Sequence, residues 1–271
     1  MMNFRKMHGL GNDFVIVKAA KDAFTPEQAR RIADRRHGVG CDQFIVIEPP
    51  QDKKADLFMR IYNPDGSQAQ ACGNGTRCAA HLWMVENGRD DCIVQTLAGL
   101  LQCRRAANDM VEVDMGVPRF GWKDIPLAEE RDTLHLGVMS GELNDPVAVN
   151  VGNPHVIFFV ENAEWVDVEG LGSQVERHVL FPERTNVEFA QILEPGKIRV
   201  RVWERGAGLT RACGSGACAV IAAAVRRGLA SRKAEIVLDG GELSLEWRGG
   251  DDHILMTGPV AYVFDGALNG S

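Results

Sequence analysis

Two stretches of alternating apolar and polar residues are near-copies of each other, and the rest of the chain is organised around them. In each copy the alternation predicts a β-strand, over 57–62 in the first and 198–203 in the second. A loop follows, then the motif Ala-Cys-Gly-x-Gly, then an apolar run that predicts a helix, near 75–86 and 216–227. The second run is apolar nearly all round, which is typical of a buried helix.

Short apolar segments between turn residues predict many further strands. Residues 8–17 form a glycine-rich turn that leads into one such strand, and the others lie near 44–47, 92–97, 100–105, 110–115, 147–151, 156–160, 187–191, 234–238, 242–247 and 253–256. A capping box at Thr25 and Gln28, with Pro26 between them, begins a helix that should stop at residues 37–38, and another helix is predicted near 170–179. Many strands and few helices favour a curled, mostly antiparallel sheet or barrel wrapped around a central helix over a parallel doubly wound fold.

A constant spacing relates the two halves of the chain. Pairs of residues in three separate motifs are 141 positions apart: Cys72 and Cys213, Asn12 and Asn153, Asn63 and Glu204. Gln43 and Asn186 match after a further shift of two residues. Repeated spacing is the mark of duplicated structure. We therefore expect two similar domains, with the matched loops facing one cleft between them.

Composition narrows the class of protein. The chain has 271 residues, a net charge of -7 and no basic block, which argues against a nucleic-acid partner. No apolar run reaches the roughly 18 residues of a membrane span, and the first residues lack the apolar core of a signal peptide. Seven cysteines, an odd number, do not suit a disulfide framework. We expect a cytoplasmic protein with reduced thiols and no membrane partner.

The duplicated motif places Cys72 and Cys213 just before a helix, where unpaired amides carry partial positive charge. A thiol there should have a lowered pKa. The same amides, those of Gly73, Asn74, Gly214 and Ser215, can hold a substrate carboxylate. A thiolate and a thiol on opposite faces of a carboxylate-bearing carbon can remove one proton and return another. The sequence therefore predicts racemisation or epimerisation, with helix ends stabilising the enediolate-like charge.

Other uses of the cysteines remain open at this stage. An isolated cysteine in an apolar stretch is usually a small buried side chain, and we interpret five of the seven in this way: Cys41, Cys78, Cys92, Cys103 and Cys218. A zinc site would need other spacings, since five residues separate Cys72 from Cys78. A redox dithiol would normally show Cys-x-x-Cys. A zinc or redox thiol module is therefore the less favoured alternative.

Polar residues in repeat-related loops are candidates for substrate binding. A single loop asparagine is most often a turn former, but five amide side chains at matched places suggest a hydrogen-bonding cage: Asn12, Gln43, Asn63, Asn153 and Asn186. Glu204 and Arg205 follow an apolar strand and could bind an ammonium and a carboxylate, or form a surface ion pair. His155 could orient reacting groups, or simply pack in a turn.

These motifs together resemble the diaminopimelate epimerase family over essentially the whole chain. The matching segments are His8–Phe14, Asp42–Gln43, Ala71–Gly75, Gly152–His155, Thr185–Phe189, Trp203–Arg205, Ala212–Gly216 and Met256–Pro259. The resemblance implies an isomerase that converts LL-2,6-diaminopimelate to the meso form in lysine biosynthesis without pyridoxal phosphate or another cofactor, and without a metal. It also implies an α/β (α+β) fold of two pseudo-symmetric domains, 1–117 with 262–271 and 118–261.

The resemblance assigns roles to the candidate residues. It implies that Cys72 and Cys213 are the acid/base pair, assisted by His155 and Glu204. It implies a substrate-binding set of Asn12, Gln43, Asn63, Gly73, Asn74, Asn153, Asn186, Glu204, Arg205, Gly214 and Ser215. Ser215 stands where threonine is common, and Cys41 where alanine is usual. A two-cysteine proline or hydroxyproline racemase is the alternative within the same chemistry.

The resemblance also implies a homodimer. Phe264 stands where some members of the family have a tyrosine at the dimer contact. Its missing hydroxyl removes a hydrogen bond from that contact without removing the apolar ring. We therefore expect a homodimer in which Phe264 lies at the interface.

Overall fold

A computed structural model describes residues 2–268 of the chain, which divides into two structural units. The first unit ends at Asp114 and resumes at Thr257, and the second is Met115–Met256. The domain boundaries expected from the sequence, after residue 117 and before residue 262, lie a few residues from these divisions. Residues 1 and 269–271, which the prediction placed in the first domain, lie outside the described residues.

The first unit alternates strands with two helices. Its elements in chain order are β1 (Met2–Gly9), β2 (Asn12–Lys18), α1 (Pro26–Ala33), β3 (Gln43–Glu48), β4 (Leu57–Tyr62), β5 (Gln68–Ala69), α2 (Gly73–Asn87), β6 (Asp91–Thr96), β7 (Gly99–Arg105) and β8 (Met110–Asp114). Strand β1 pairs antiparallel with β2, β2 runs parallel to β3, and β3 is antiparallel to β4. Strand β4 is parallel to β6, and β6, β7 and β8 continue antiparallel.

The second unit repeats this order of elements. They are β9 (Val147–Asn150), β10 (Pro154–Phe159), a short 3-10 helix (Ala163–Trp165), α3 (Val168–Glu176), β11 (Asn186–Glu194), β12 (Lys197–Glu204), β13 (Gly208–Thr210), α4 (Gly214–Arg226), β14 (Lys233–Leu238) and β15 (Gly241–Trp247). The pairing is also repeated: β10 is parallel to β11, β11 antiparallel to β12, and β12 parallel to β14. The duplication inferred from the constant spacing is therefore present in the strand topology.

The chain ends with two strands, β16 (Ile254–Pro259) and β17 (Ala261–Leu268). Strand β16 continues from the second unit into the first, and β17 pairs antiparallel with β1. The return of the last strand to the first unit thus adds an eighth long strand to that unit's sheet.

A buried helix forms the centre of each unit. Helix α2 contacts β1, β2, β3, β6, β7 and β8, and α4 contacts β9, β10, β11, β14 and β15. Most residues of α4 are buried, including every residue from Gly216 to Ala224. A helix that is apolar all round must be enclosed, so the mostly antiparallel strands curl around it. The expected fold class is confirmed by this architecture.

The observed helix bounds differ from the predicted ones in two informative ways. Helix α1 ends at Ala33 rather than at residues 37–38. The Asp34 carboxylate accepts the backbone N–H groups of Arg36 and His37, both at 2.7 Å, and this local turn competes with further helix. Helices α2 and α4 begin two residues earlier than predicted, so Cys72 and Cys213 become their N-cap residues.

Candidate active site

The two repeat-related cysteines have the same local geometry. Each has extended backbone angles, and each sulfur accepts a hydrogen bond from the helix residue three positions on. The N–H of Gly75 lies 3.4 Å from Cys72 Sγ, and that of Gly216 lies 3.3 Å from Cys213 Sγ. A cap sulfur therefore takes the place of the serine or aspartate oxygen usual at a helix start. Negative charge on that sulfur is favoured by the helix end.

The surroundings of the two thiols differ. Cys72 is partly exposed, whereas Cys213 is buried. Burial raises the pKa of Cys213 well above its usual value, and the nearby carboxylates of Glu204 and Glu188 raise it further. Hydrogen bonds from Ser215 and the Gly216 amide lower it only partly. The expectation of a lowered thiol pKa is therefore wrong for Cys213, because desolvation and two carboxylates outweigh the helix end.

Asn12, at the start of β2, connects Cys72 to the beginning of α2. The Cys72 thiol donates to Asn12 Oδ1 over 3.8 Å, and Asn74 Nδ2 donates to the same oxygen over 3.3 Å. The amide nitrogen of Asn12 donates to Asp42 Oδ2 over 3.0 Å. A carboxylate can only accept, so Asp42 fixes the orientation of the Asn12 amide.

Charged residues behind this contact hold it in place. Asp42 is paired with Arg35, whose guanidinium also bonds Asp13. Burial would raise the pKa of Asp13, but hydrogen bonds from Arg35 and Lys6 hold it well below its usual range. On the other side of the site, the fully buried Arg77 donates to Asn74 Oδ1 over 2.9 Å. Sequence reasoning did not assign Arg35, Asp13, Asp42 or Arg77 to the site.

Gln43 and Asn63 form a second polar pair in the first unit. Gln43 is the first residue of β3, and Asn63 follows the last residue of the antiparallel neighbour β4. Gln43 Nε2 donates to Asn63 Oδ1 over 3.1 Å, and Asn63 Nδ2 donates to Ser67 Oγ over 3.1 Å. The strand register therefore brings together two residues that lie twenty positions apart.

The corresponding residues of the second unit lie at the same strand ends. Asn186 begins β11, where its Oδ1 accepts the Arg205 N–H over 2.9 Å and its Nδ2 donates to Pro154 O over 2.8 Å. The Arg205 guanidinium donates to Glu183 O over 3.0 Å. Asn186 is thus anchored to the strands on both of its sides.

Glu204, the last residue of β12, lies beside Cys213. It accepts hydrogen bonds from the Thr210 hydroxyl and from the Cys213 thiol. Burial raises the pKa of the Glu204 carboxyl despite these two hydrogen bonds. Ser215 Oγ lies 3.5 Å from Cys213 Sγ on its other side. Asn63, which bonds Gln43 and Ser67, holds the repeat-related position in the first unit, so a neutral amide there corresponds to the Glu204 carboxylate.

His155 is part of a buried polar chain that the sequence indicated only in part. Its Nε2 lies 2.9 Å from Asn153 Oδ1, and its Nδ1 lies 2.6 Å from Glu188 Oε1. Both His155 and Glu188 have no exposed side-chain area. Glu188 lies within the matched segment Thr185–Phe189, but the sequence indicated no role for it. Its signal in the sequence is a carboxylate two residues after Asn186, within the otherwise apolar run 187–190.

Within each unit, therefore, the structure brings most of the candidate side chains into contact. The first unit joins Cys72, Asn12 and Asn74, and separately Gln43 and Asn63. The second joins Cys213, Glu204 and Ser215, and separately Asn153 and His155. Gly73 and Gly214 are the first residues of α2 and α4, where their amides belong to the helix ends. Across residues 2–268, no group of three or more His, Cys, Asp or Glu side chains is arranged to hold a metal ion.

The fold is shared with solved structures of low sequence identity. A phenazine biosynthesis protein of the PhzF family from Bacillus anthracis superposes with a TM-score of 0.70 at 18% identity, with 97% of each chain covered. A hydroxyproline epimerase from Agrobacterium vitis gives a TM-score of 0.64 at 16% identity, covering 98% of this chain and 90% of that one. The fold thus defines a class of duplicated proteins with strands curled around a helix in each half.

Sequence comparison identifies the family within this class. The diaminopimelate epimerase family model matches residues 4–121 and 147–263. A diaminopimelate epimerase from Rhodospirillum centenum is 56% identical over 268 residues, covering 98% of this chain and 92% of the relative. One from Acidiphilium cryptum is 54% identical over 268 residues, covering 98% and 96%. This chain belongs to the diaminopimelate epimerase family.

No helix in the part of the chain that the structure describes is both long enough and apolar enough to cross a membrane.

Proposed function

We propose that this chain epimerises LL-2,6-diaminopimelate to meso-diaminopimelate, as a step of lysine biosynthesis, by two-base proton transfer between Cys72 and Cys213. The observation that carries the proposal is the pair of repeat-related cysteines, each of which caps a buried helix and accepts an amide hydrogen bond from it. The activity agrees with the family to which the chain belongs. The assignment of the two bases is our own inference from the geometry within each unit.

The reaction balances without an oxidant, a reductant or a cofactor. One cysteine enters as a thiolate, takes the α-proton and becomes a thiol. The other enters as a thiol, gives a proton to the opposite face of the same carbon and becomes a thiolate. The raised pKa of Cys213 suits it to be the protonated partner in the free protein. The roles are exchanged when the reaction runs in the other direction.

The amides at the start of α2 and α4 supply the electrostatic help that a weak carbon acid needs. We assign the substrate α-carboxylate to the N–H groups of Gly73, Asn74, Gly214 and Ser215, because helix starts bind carboxylates and approach them closely where glycine stands. As the proton leaves, negative charge grows on the carboxylate oxygens. One well-placed donor to such charge contributes about 3–4 kcal/mol to the transition state.

The remaining polar residues are assigned to the ammonium groups and the distal end of the substrate. Asn63 and Glu204 occupy repeat-related positions but differ in charge, which suits a substrate whose two ends are not treated alike. Arg205 and Glu204 are the residues assigned to a second carboxylate and a second ammonium. The amide side chains assigned to substrate are Asn12, Gln43, Asn63, Asn153 and Asn186, with His155 and Glu204 assisting the cysteines.

Deuterium incorporation tests the reaction directly. With reduced protein and LL-diaminopimelate in deuterated water, we expect meso product that carries one deuterium at the inverted α-carbon, because the returned proton comes from a thiol that exchanges with solvent. Mass spectrometry and chiral chromatography follow the label and the stereoisomers. Parallel reactions with L-proline and trans-4-hydroxy-L-proline test the racemase alternative. If LL-diaminopimelate gave neither α-deuterium nor meso product, the proposed function would be rejected.

The zinc or redox alternative predicts different results from the same protein. A zinc module would be purified with stoichiometric metal and lose its fold with a chelator. Full epimerase activity in metal-free, reduced protein would remove that alternative. None of the seven cysteines, all of which lie within residues 2–268, forms a disulfide. Cell fractionation tests our proposal that the protein is cytoplasmic, where thiols stay reduced.

A homodimer through β17 is our proposal for the quaternary state. Tyr262, Val263 and Phe264 follow one another on this strand and are 46%, 54% and 49% exposed. The Phe264 ring packs edge-on against Phe4, with the ring centres 5.9 Å apart, so its exposed side is held in a fixed position. Three neighbouring large apolar side chains at the surface are typical of a protein interface.

Phe264→Asp is expected to shift the protein from dimer to monomer in light scattering coupled to gel filtration, because a charge would be buried in an apolar contact. Val179→Asp is the matched control, since Val179 is an 85% exposed apolar residue in the loop between α3 and β11. The control should remain dimeric with an unchanged melting temperature. A dimeric Phe264→Asp variant would reject the proposed interface.

A further inference from the structure

Glu188 is a fully buried carboxylate that the two-base mechanism does not use. It lies on β11, and its Oε1 bonds His155 Nδ1 on the parallel neighbour β10 over 2.6 Å. Its second oxygen, Oε2, is buried without a hydrogen-bond partner among residues 2–268. Buried polar atoms are normally satisfied, and an exception calls for an explanation.

Comparison of the two units shows that the fold does not need this polar pair. In the second unit, Val156 of β10 pairs with Val187 of β11. His155 is the residue before Val156, and Glu188 is the residue after Val187. In the first unit Phe14 stands 141 positions before His155 and Ile45 stands 143 before Glu188, which are the same spacings that relate the other matched residues. Phe14 and Ile45 are fully buried as well.

Contacts with the central helices confirm this correspondence. A Cβ placed on Gly75 would come within 2.8 Å of Ile45 Cδ1, and one placed on Gly216 within 2.8 Å of Glu188 Oε1. Ile45 and Glu188 therefore press on the same helix position in the two units. An apolar pair of similar volume is usually at least as stabilising as a buried ionic pair. The histidine and glutamate are thus present for a reason other than packing.

The other side of the His155 ring indicates what that reason is. Its Nε2 lies 2.9 Å from Asn153 Oδ1, so both ring nitrogens face oxygen atoms. A ring with hydrogen on both nitrogens donates to both, and it carries a positive charge that a Glu188 carboxylate balances. Because Asn153 accepts through its side-chain oxygen, its amide nitrogen is directed away from the His155 ring and can donate to another group.

The titratable groups that face this pair come from three elements. Glu188 lies on β11, Glu204 on β12, and Cys213 at the start of α4; His155 and Glu188 both influence the titration of Glu204, and both carboxylates influence that of Cys213. A positive His155 ring therefore lowers the pKa of Glu204, the carboxylate that accepts from the Cys213 thiol.

We propose that Glu188 is a positioning residue for the epimerase site: it holds His155 with hydrogen on both ring nitrogens, and His155 in turn orients the Asn153 amide. The inference rests on the two-base function proposed above. It adds Glu188 to that mechanism as a residue that contacts no substrate and acts through His155.

Nitrogen-15 NMR of the histidine rings tests the first step without requiring activity. In free protein near neutral pH, the His155 signal, assigned by its absence in His155→Phe, should show both nitrogens protonated. In Glu188→Gln it should show a single protonated nitrogen, since a neutral amide does not balance the ring charge. A wild-type ring with one protonated nitrogen, or an unchanged ring in the variant, would overturn the proposal.

Kinetics test the second step. We expect Glu188→Gln to lower kcat by 10- to 100-fold, similar to the loss when the partner that orients a metal-bound histidine is removed, and to shift the pH profile of kcat. Glu48→Gln is the matched control, because Glu48 is a buried carboxylate bonded to Arg60 at the far end of β3. It should lower the melting temperature while leaving the pH profile and the His155 signal unchanged.

A double variant, His155→Phe with Glu188→Ile, installs the pair that the first unit carries. It should fold, with an unchanged circular dichroism spectrum, and yet lose turnover. Wild-type turnover in the double variant would show that the pair is only structural and would overturn the proposal. If wild-type protein itself failed to epimerise diaminopimelate, the proposed function would fail, whereas the NMR result would still decide the state of His155.

Discussion

Replacing either Cys72 or Cys213 with alanine is expected to lower the rate of diaminopimelate epimerisation by about 10⁴-fold, the upper range for loss of a positioned acid or base. Each thiol serves one face of the α-carbon, so the remaining thiol cannot complete an inversion. The rate is measured from the appearance of meso product with the reduced protein. Folding should be retained, because both residues lie at helix caps rather than in the helix interior.

Cys41→Ala is the control for loss of a buried cysteine. Cys41 lies in the apolar core of the first unit, and burial raises the pKa of its thiol to about 11, so it is protonated near neutral pH. This variant should keep its turnover and lose only a little stability. Normal turnover in either Cys72→Ala or Cys213→Ala would show that the protein does not use two cysteine bases.

Gly216→Ala is expected to lower kcat by about 100-fold, the order of loss that a 1 Å misplacement of reacting groups causes. An alanine Cβ would come within 2.8 Å of Glu188 Oε1 and 3.4 Å of Cys213 Sγ. Glu188 is buried and bonded to His155, so the start of α4 must shift, and the Cys213 cap shifts with it. The usual helix preference for alanine over glycine, about 1 kcal/mol, is outweighed by this overlap.

The glycine prediction has two comparisons within the chain. Gly75→Ala meets the end of the Ile45 side chain at 2.8 Å, and we expect a smaller loss there because an aliphatic side chain can rotate. Gly249→Ala projects into open space and should change neither kcat nor the melting temperature. Unchanged turnover in a correctly folded Gly216→Ala variant would contradict the proposed closeness of α4, Glu188 and Cys213.

Much of the fold could be predicted because it rests on local patterns repeated along the chain. The alternation at 57–62 predicted β4 with its observed bounds, and the apolar run after Cys213 predicted a buried central helix. The bounds of α1 could not be predicted in the same way, because the Asp34 side chain competes for backbone amides beyond the helix end. Helices α2 and α4 begin two residues before their predicted starts, since a cysteine cap gives no familiar signal.

Some residues of the candidate site could likewise be predicted from the sequence, and others could not. The cysteines and the matched amide residues were found from motif and spacing alone. Asp42, Arg77 and Glu188 were not, because their roles consist of contacts with residues on other elements. Asp42 reaches Asn12 across thirty positions and Glu188 reaches His155 across thirty-three. No local pattern encodes such a contact.

By itself, the sequence determined the duplication, the central helices, the pair of cysteines and the family. Each of these features can be recognised from a periodicity, a spacing or a motif in the sequence. Only the tertiary structure decided how the two cysteines differ. Burial and the carboxylates of Glu204 and Glu188 raise the pKa of Cys213, while Cys72 stays partly exposed beside Asn12. The reason is that a pKa depends on which charges surround a group in space, and strands distant in sequence supply those charges.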